Sequence, residues 1–313
     1  MITPVPEVAA LSLYATPPLP ASVDLRLDKT ERPLPLSEVG DAGWYPKSKD
    51  LEAALAERFG VAPECVLVTA GADEAIDRVC RAFLSRERTA VVTMPTFEMI
   101  GHYAKLAGAK VVEVPWLHGE FPLPALITAA GDSSVRFVCN PNNPTGFAAP
   151  VSDLVKLARA TPDALLLVDC AYVEFAREDP TRALLTLPNV VVARTFSKAW
   201  GIPGARVGYV LGDPAVIAAL RLAGGPYTVA RPSLVLALAR LRFGEPEMHD
   251  YVARARSEVE RLKECFWSLA GIGVQHTEAN FIFFRHERID ALAAGIEKYG
   301  IGMRSFRDPR LAD

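Results

Sequence analysis

The chain has 313 residues, 50% hydrophobic and 23% charged, a composition that belongs to a folded globular protein rather than a disordered or fibrous one. Lys and Arg total 34 against 37 Asp and Glu, a net charge of -3, which argues against a protein that binds by neutralising nucleic-acid phosphates. The 5 cysteines are scattered with no Cys-x-x-Cys pair, no apolar run approaches the ~20 residues needed to span a bilayer, and the proline-broken start lacks Lys and Arg; a cytoplasmic protein with reduced thiols is expected.

Residues 1–35 are rich in proline and read as an extended arm. A helix is predicted from an Asp50 cap, with Leu51, Ala54, Leu55 and Phe59 at helical spacing and Gly60 as its stop. From 66 to 211, short β-branched runs at 66–69, 90–93, 111–114, 135–139, 165–168, 190–193 and 207–211 alternate with helical stretches. Several runs are apolar at consecutive positions, which suits strands covered on both faces and predicts an α/β fold with a mostly parallel sheet. Beyond Gly244 the pattern becomes a long helix to about 270, a strand at 281–284, a helix at 289–299 and a short strand near Met303. The organisation expected is an arm (1–35), a large domain (36–244) and a smaller C-terminal α/β domain (245–313).

In open α/β sheets ligands sit beyond the carboxyl ends of the strands. Those ends are followed here by Gly71-Ala72-Asp73-Glu74, Pro95-Thr96-Phe97, Asn140 to Gly146, Asp169-Cys170-Ala171-Tyr172 and Thr195-Phe196-Ser197-Lys198. Dinucleotide and mononucleotide fingerprints are absent, and the histidines show no zinc-helix spacing. A lone loop lysine is ordinarily a surface residue, but Lys198 follows a buried run, where desolvation favours a neutral, nucleophilic amine. Asp169 ends another such run, so its carboxylate needs a cationic partner; a protonated pyridine nitrogen is one, although an N-cap role is the simpler alternative. Arg206 lies past a Gly- and Pro-rich loop that folds back, and its fork of donors suits a phosphate. Thr195, Ser197 and the backbone amides of Ala72 and Asp73 at a helix start could serve the same phosphate, or could be local caps.

Asn140-Pro141-Asn142-Asn143-Pro144-Thr145-Gly146, Asp169 with Tyr172, and Thr195-Phe196-Ser197-Lys198 with Arg206 together resemble the class I/II, fold-type I pyridoxal-phosphate aminotransferases. Gly71-Ala72-Asp73-Glu74 and the segment 203–209 resemble the histidinol-phosphate branch in particular. The resemblance implies a large domain with a mostly parallel sheet plus a smaller domain, and pyridoxal 5'-phosphate as cofactor. It implies that Lys198 binds the cofactor covalently and moves a proton, that Asp169 holds the pyridinium, and that Asn143 and Tyr172 bond its phenolate oxygen. Phe97 would stack on the ring in place of the usual tyrosine. Tyr45 would reach the cofactor phosphate of the other subunit, which implies a homodimer with shared active sites. Tyr14 is a weak match to a tyrosine near the substrate. The implied reaction moves an amino group between histidinol phosphate and 2-oxoglutarate.

Other readings are an aromatic amino-acid aminotransferase, a threonine-phosphate-decarboxylase-like enzyme, and an inactive pyridoxal-phosphate-binding module. The sequence departs from the family pattern at Cys170, where an acidic residue is common, and at Thr30-Glu31-Arg32-Pro33. Family members usually continue into a strand whose arginine binds the substrate's anionic group. Here that role is expected of a further C-terminal tail or of Arg304, Arg307 or Arg310.

Overall fold

The computed structural model describes residues 2–12, 44–129, 135–269, 271–306 and 311. Tyr14, Thr30 to Pro33, Arg307 and Arg310 lie outside these residues. Along the chain run α1 (Pro6–Ala9), α2 (Lys49–Phe59), β1 (Val66–Thr69), α3 (Gly71–Phe83), β2 (Thr89–Met94), α4 (Glu98–Leu106), β3 (Lys110–Pro115), α5 (Leu123–Thr128), β4 (Val135–Cys139) and α6 (Val151–Ala160). They are followed by β5 (Leu165–Asp169), α7 (Thr181–Leu184), β6 (Val190–Thr195), β7 (Gly208–Gly212), α8 (Pro214–Leu222), α9 (Arg231–Phe243), α10 (Glu245–Trp267), β8 (Gly273–Val274), β9 (Phe284–Arg285) and α11 (Ile289–Glu297).

The main sheet has 7 strands in the order β1-β7-β6-β5-β4-β2-β3. The pairs β2–β3, β2–β4, β4–β5 and β5–β6 are parallel, whereas β7 runs antiparallel to both β1 and β6. Both faces of the inner strands are buried, which explains their consecutive apolar runs, while the edge strand β3 is partly exposed. In β5, Leu165 and Leu167 join Ile76, Phe83 and Ile100 on one face, while Leu166 and Val168 join Leu154, Leu157 and Trp116 on the other. The two-residue alternation runs to the last residue of each strand, so Cys139, Asp169 and Thr195 follow the same face as Phe137, Leu167 and Ala193.

Four sequence expectations differ from the structure. Residues 2–12 are not simply an extended arm: they include α1, Val5 and Val8 are buried, and the Val5 amide donates to the Ala82 carbonyl at 2.8 Å. The N-cap of α2 is Ser48, with Asp50 in the first turn, while Gly60 ends the helix in the left-handed region at φ 70. The 281–284 run forms a strand only at Phe284–Arg285, paired with β8, because its aromatic residues line a cavity instead of a sheet. Residues near Met303 form no strand among the described residues. At Gly244 the chain passes from α9 to α10, and Leu234, Ala237, Met248 and Val252 share one cluster with Leu51, Leu55, Val66 and Tyr209. No helix among the described residues is long and apolar enough to cross a membrane.

Candidate active site

The carboxyl ends of β4, β5 and β6 and the start of α3 enclose a cavity of about 220 Å³. Ala72, Asp73, Phe97, Asn143, Asp169, Tyr172, Thr195, Ser197, Lys198 and Arg206, separated by long stretches of sequence, all line it. Tyr45 does not; it is 45% exposed and stacks on Tyr227 with ring centroids 4.7 Å apart.

Asp169 forms the floor. It is 3% exposed, its Oδ1 accepts from the Ala171 amide at 3.1 Å, and its Oδ2 lies 3.7 Å from the Cys139 sulfur, whose thiol has a nearer acceptor in the Pro141 carbonyl at 3.4 Å. The parallel register of β4 and β5 sets Cys139, in the sequence only one of five scattered cysteines, opposite Asp169. Asp169 makes no ion pair with any described residue, and burial pushes its acid up to about 6. Burial likewise pushes the Cys139 thiol and the Tyr172 phenol above their ordinary ranges.

Lys198 lies three residues past the end of β6 and is half-buried rather than enclosed with the strand as expected. Its Nζ sits over the Tyr172 ring, 5.1 Å from the centroid, and that ring meets Phe281 edge-on at 5.2 Å. Asn143 borders the cavity from a loop braced by its neighbours: the Asn142 side chain donates to the Pro95 carbonyl at 2.9 Å and to Thr145 at 2.8 Å.

At the opposite end Arg206 adopts the left-handed region at φ 52. Its guanidinium reaches Ser197 Oγ at 3.3 Å and Asp73 Oδ2 at 3.0 Å, so the arginine, a hydroxyl and the start of α3 converge. Thr195 Oγ1 accepts from the Ser197 amide at 3.1 Å, which fixes the turn between them. The approach of α3 to β7 depends on glycine: a Cβ at Gly208 would lie 2.5 Å from the Gly71 carbonyl carbon and 2.7 Å from the Ala72 nitrogen.

A larger cavity of about 660 Å³ adjoins the first, sharing Asn143, Tyr172 and Arg304. Phe281, Phe283, Arg285, His286 and Phe306 also line it. Of the three C-terminal arginines expected near the substrate, Arg304 is therefore brought to the site, held by Glu98 Oε1 at 3.0 Å. Arg285 and Cys139 are among the cavity residues that spacing did not reveal, because each stands at the end of an apolar run.

These residues fit pyridoxal 5'-phosphate. The enclosed Asp169 carboxylate suits a protonated ring nitrogen. Arg206, Ser197, Thr195 and the helix start make a donor-rich corner suited to a phosphate, which would compete with Asp73 for the guanidinium. Fold and site together define a fold-type I pyridoxal-phosphate enzyme.

The chain belongs to the family described as aminotransferase class I and II, which it matches over residues 36–311. It is 32% identical over 320 residues to a histidinol-phosphate aminotransferase from Shewanella amazonensis (strain ATCC BAA-1098 / SB2B), covering 98% of this chain and 88% of the relative. It is 36% identical over 282 residues to the histidinol-phosphate aminotransferase of Xanthomonas campestris pv. campestris (strain 8004), covering 86% and 77%. The crystal structure of histidinol-phosphate aminotransferase from Sinorhizobium meliloti, in complex with pyridoxal-5'-phosphate, superposes with a TM-score of 0.78 at 25% identity over 88% of this chain and 81% of that one.

Proposed function

We propose that this aminotransferase transfers the amino group of histidinol phosphate to 2-oxoglutarate, working as a cytoplasmic homodimer in histidine biosynthesis. The observation that carries the substrate reading is the position of Arg304, which borders both the Lys198 cavity and its larger neighbour. A guanidinium there suits the phosphate of an extended amino donor whose amine points at Lys198. Arg285 and His286 line the same cavity and add donors.

Bound pyridoxal phosphate supplies an electron sink for the substrate's α-carbon. Asp169 would hold the ring nitrogen in its protonated form, its carboxylate oriented by the Ala171 amide. Arg206, Thr195, Ser197 and the amides of Ala72 and Asp73 would bind the phosphate, while Phe97 packs against the ring. Asn143 and Tyr172 would donate to the phenolate oxygen. The Lys198 amine would take the proton from the substrate α-carbon and deliver it to the adjacent acceptor carbon, acting as general base and then acid. Tyr45, outside this cavity and exposed, would serve the partner subunit's phosphate site. Phe281, Phe283, Phe284 and Phe306 line the larger cavity and favour an aromatic donor as the second reading.

A donor comparison tests the substrate. Histidinol phosphate should exceed histidinol in kcat/KM by tenfold or more, and Arg304→Met should remove most of that advantage through KM, at about 1.5–3 kcal/mol for a charge-assisted bond. Turnover of aromatic amino acids without turnover of histidinol phosphate would discard this substrate and keep the class.

A further inference from the structure

Lys198 carries its amine on a flexible four-carbon stem, so its position depends on how firmly its backbone is held. One side chain outside the cavity grips that backbone from both sides. Glu174 Oε1 accepts from the Arg194 guanidinium at 2.9 Å, four residues before Lys198, and from the Trp200 indole at 3.3 Å, two residues after it. Glu174 itself follows Tyr172 by two residues, and Tyr172 is the ring over which the Lys198 amine lies. The joint is buried: the side chains of Glu174 and Arg194 are 9% and 6% exposed, and Trp200 is 2% exposed.

The surrounding groups fix each arm separately. Arg194 also donates to Asp179 at 2.6 Å and to Thr181 at 2.9 Å, so it keeps its orientation without Glu174. Trp200 packs on Phe196 at 5.6 Å, beneath the Arg58 guanidinium at 5.3 Å from its ring. On the other side Arg256 of α10 donates to the carbonyls of Phe175 at 3.1 Å and Ala176 at 2.6 Å, anchoring the segment that carries Tyr172. Glu174 is the member common to the lysine loop and the tyrosine segment.

We propose that Glu174 is a positioning residue that holds the Lys198 amine against Tyr172, tying the lysine's loop, through Trp200, to the tyrosine segment and to the independently anchored Arg194. This rests on the aminotransferase reading of Lys198. Both donors meet the same oxygen, so a glutamine can keep an acceptor for each, whereas a leucine removes both bonds.

The test uses the full-length protein stripped of cofactor. The rate at which it captures added pyridoxal phosphate is followed by absorbance, with Lys198→Ala as the background, alongside kcat, donor KM and Tm. Glu174→Leu and Trp200→Phe should each slow capture and lower kcat by about fivefold, the scale of a buried hydrogen bond, with donor KM unchanged, and Glu174→Gln should recover most of the loss. The double variant should lose little more than either single one, because both changes cut the same link. Unchanged capture and kcat with only a lower Tm would overturn the proposal, as would losses that multiply in the double variant. Should Glu174→Leu fail to fold, Trp200→Phe alone decides by the same readouts. A wild-type protein with no capture above the Lys198→Ala background would overturn the underlying reading instead.

Discussion

Asp169→Asn should stabilise the protein in the absence of cofactor, although it removes a group at the centre of the site. The carboxylate is buried at 3% exposure without an ion-pair partner among the described residues, and its acid is pushed up to about 6 from an ordinary 3.8. The folded chain therefore holds the proton more tightly than the unfolded chain. The corresponding stability is full below pH 3.8 and is lost as the pH rises through about 6. The difference corresponds to about 3 kcal/mol, an upper figure for what the ionised carboxylate costs the cofactor-free fold at pH 8. Asparagine keeps an oxygen for the Ala171 amide and carries no charge. Urea unfolding of both proteins, stripped of cofactor, reads the effect: Asn should be the more stable at pH 8, and the gap should close between pH 6 and pH 4. Pyridoxal phosphate should reverse the order at pH 8, because its ring nitrogen supplies the missing cation to Asp169 alone. A gap that stays constant from pH 4 to pH 8 would refute the reasoning.

Arg206→Gln should weaken cofactor binding by about 1.5–3 kcal/mol, tenfold or more in Kd by fluorescence titration, with a shallower dependence on salt. Pyridoxal without its phosphate should bind both proteins equally. Gly208→Ala should destabilise the fold by about 1–3 kcal/mol in thermal unfolding, because the new methyl meets backbone of Gly71 and Ala72 that cannot turn aside.

Much of this site is legible in one dimension because strand ends deliver it. The run Leu165 to Val168 fixes a buried strand, and the residue that breaks the run, Asp169, is the one that faces the cavity. Lys198 and Arg206 are recognisable for a similar reason: each is a cation close to a buried strand, with glycine and proline between them. Cys139 is hidden because a thiol ending an apolar strand looks like any core residue, and only the β4–β5 register sets it beside Asp169. The run Phe281 to Phe284 misleads because aromatic residues that line a cavity have the same composition as a buried strand. Residues 2–12 mislead in the opposite sense, since their prolines mask Val5 and Val8, which dock the segment on the body. The contact between Arg304 and Glu98 joins distant segments, so no local pattern announces it.

The most direct test is a single half-reaction. Purified protein loaded with pyridoxal phosphate and given histidinol phosphate, without any oxo acid, should convert the cofactor's visible band to the pyridoxamine-phosphate band in a stoichiometric burst. Adding 2-oxoglutarate should then restore the original band, and Lys198→Ala should do neither. A loaded wild-type protein whose spectrum does not move with histidinol phosphate or any other amino donor would contradict the account.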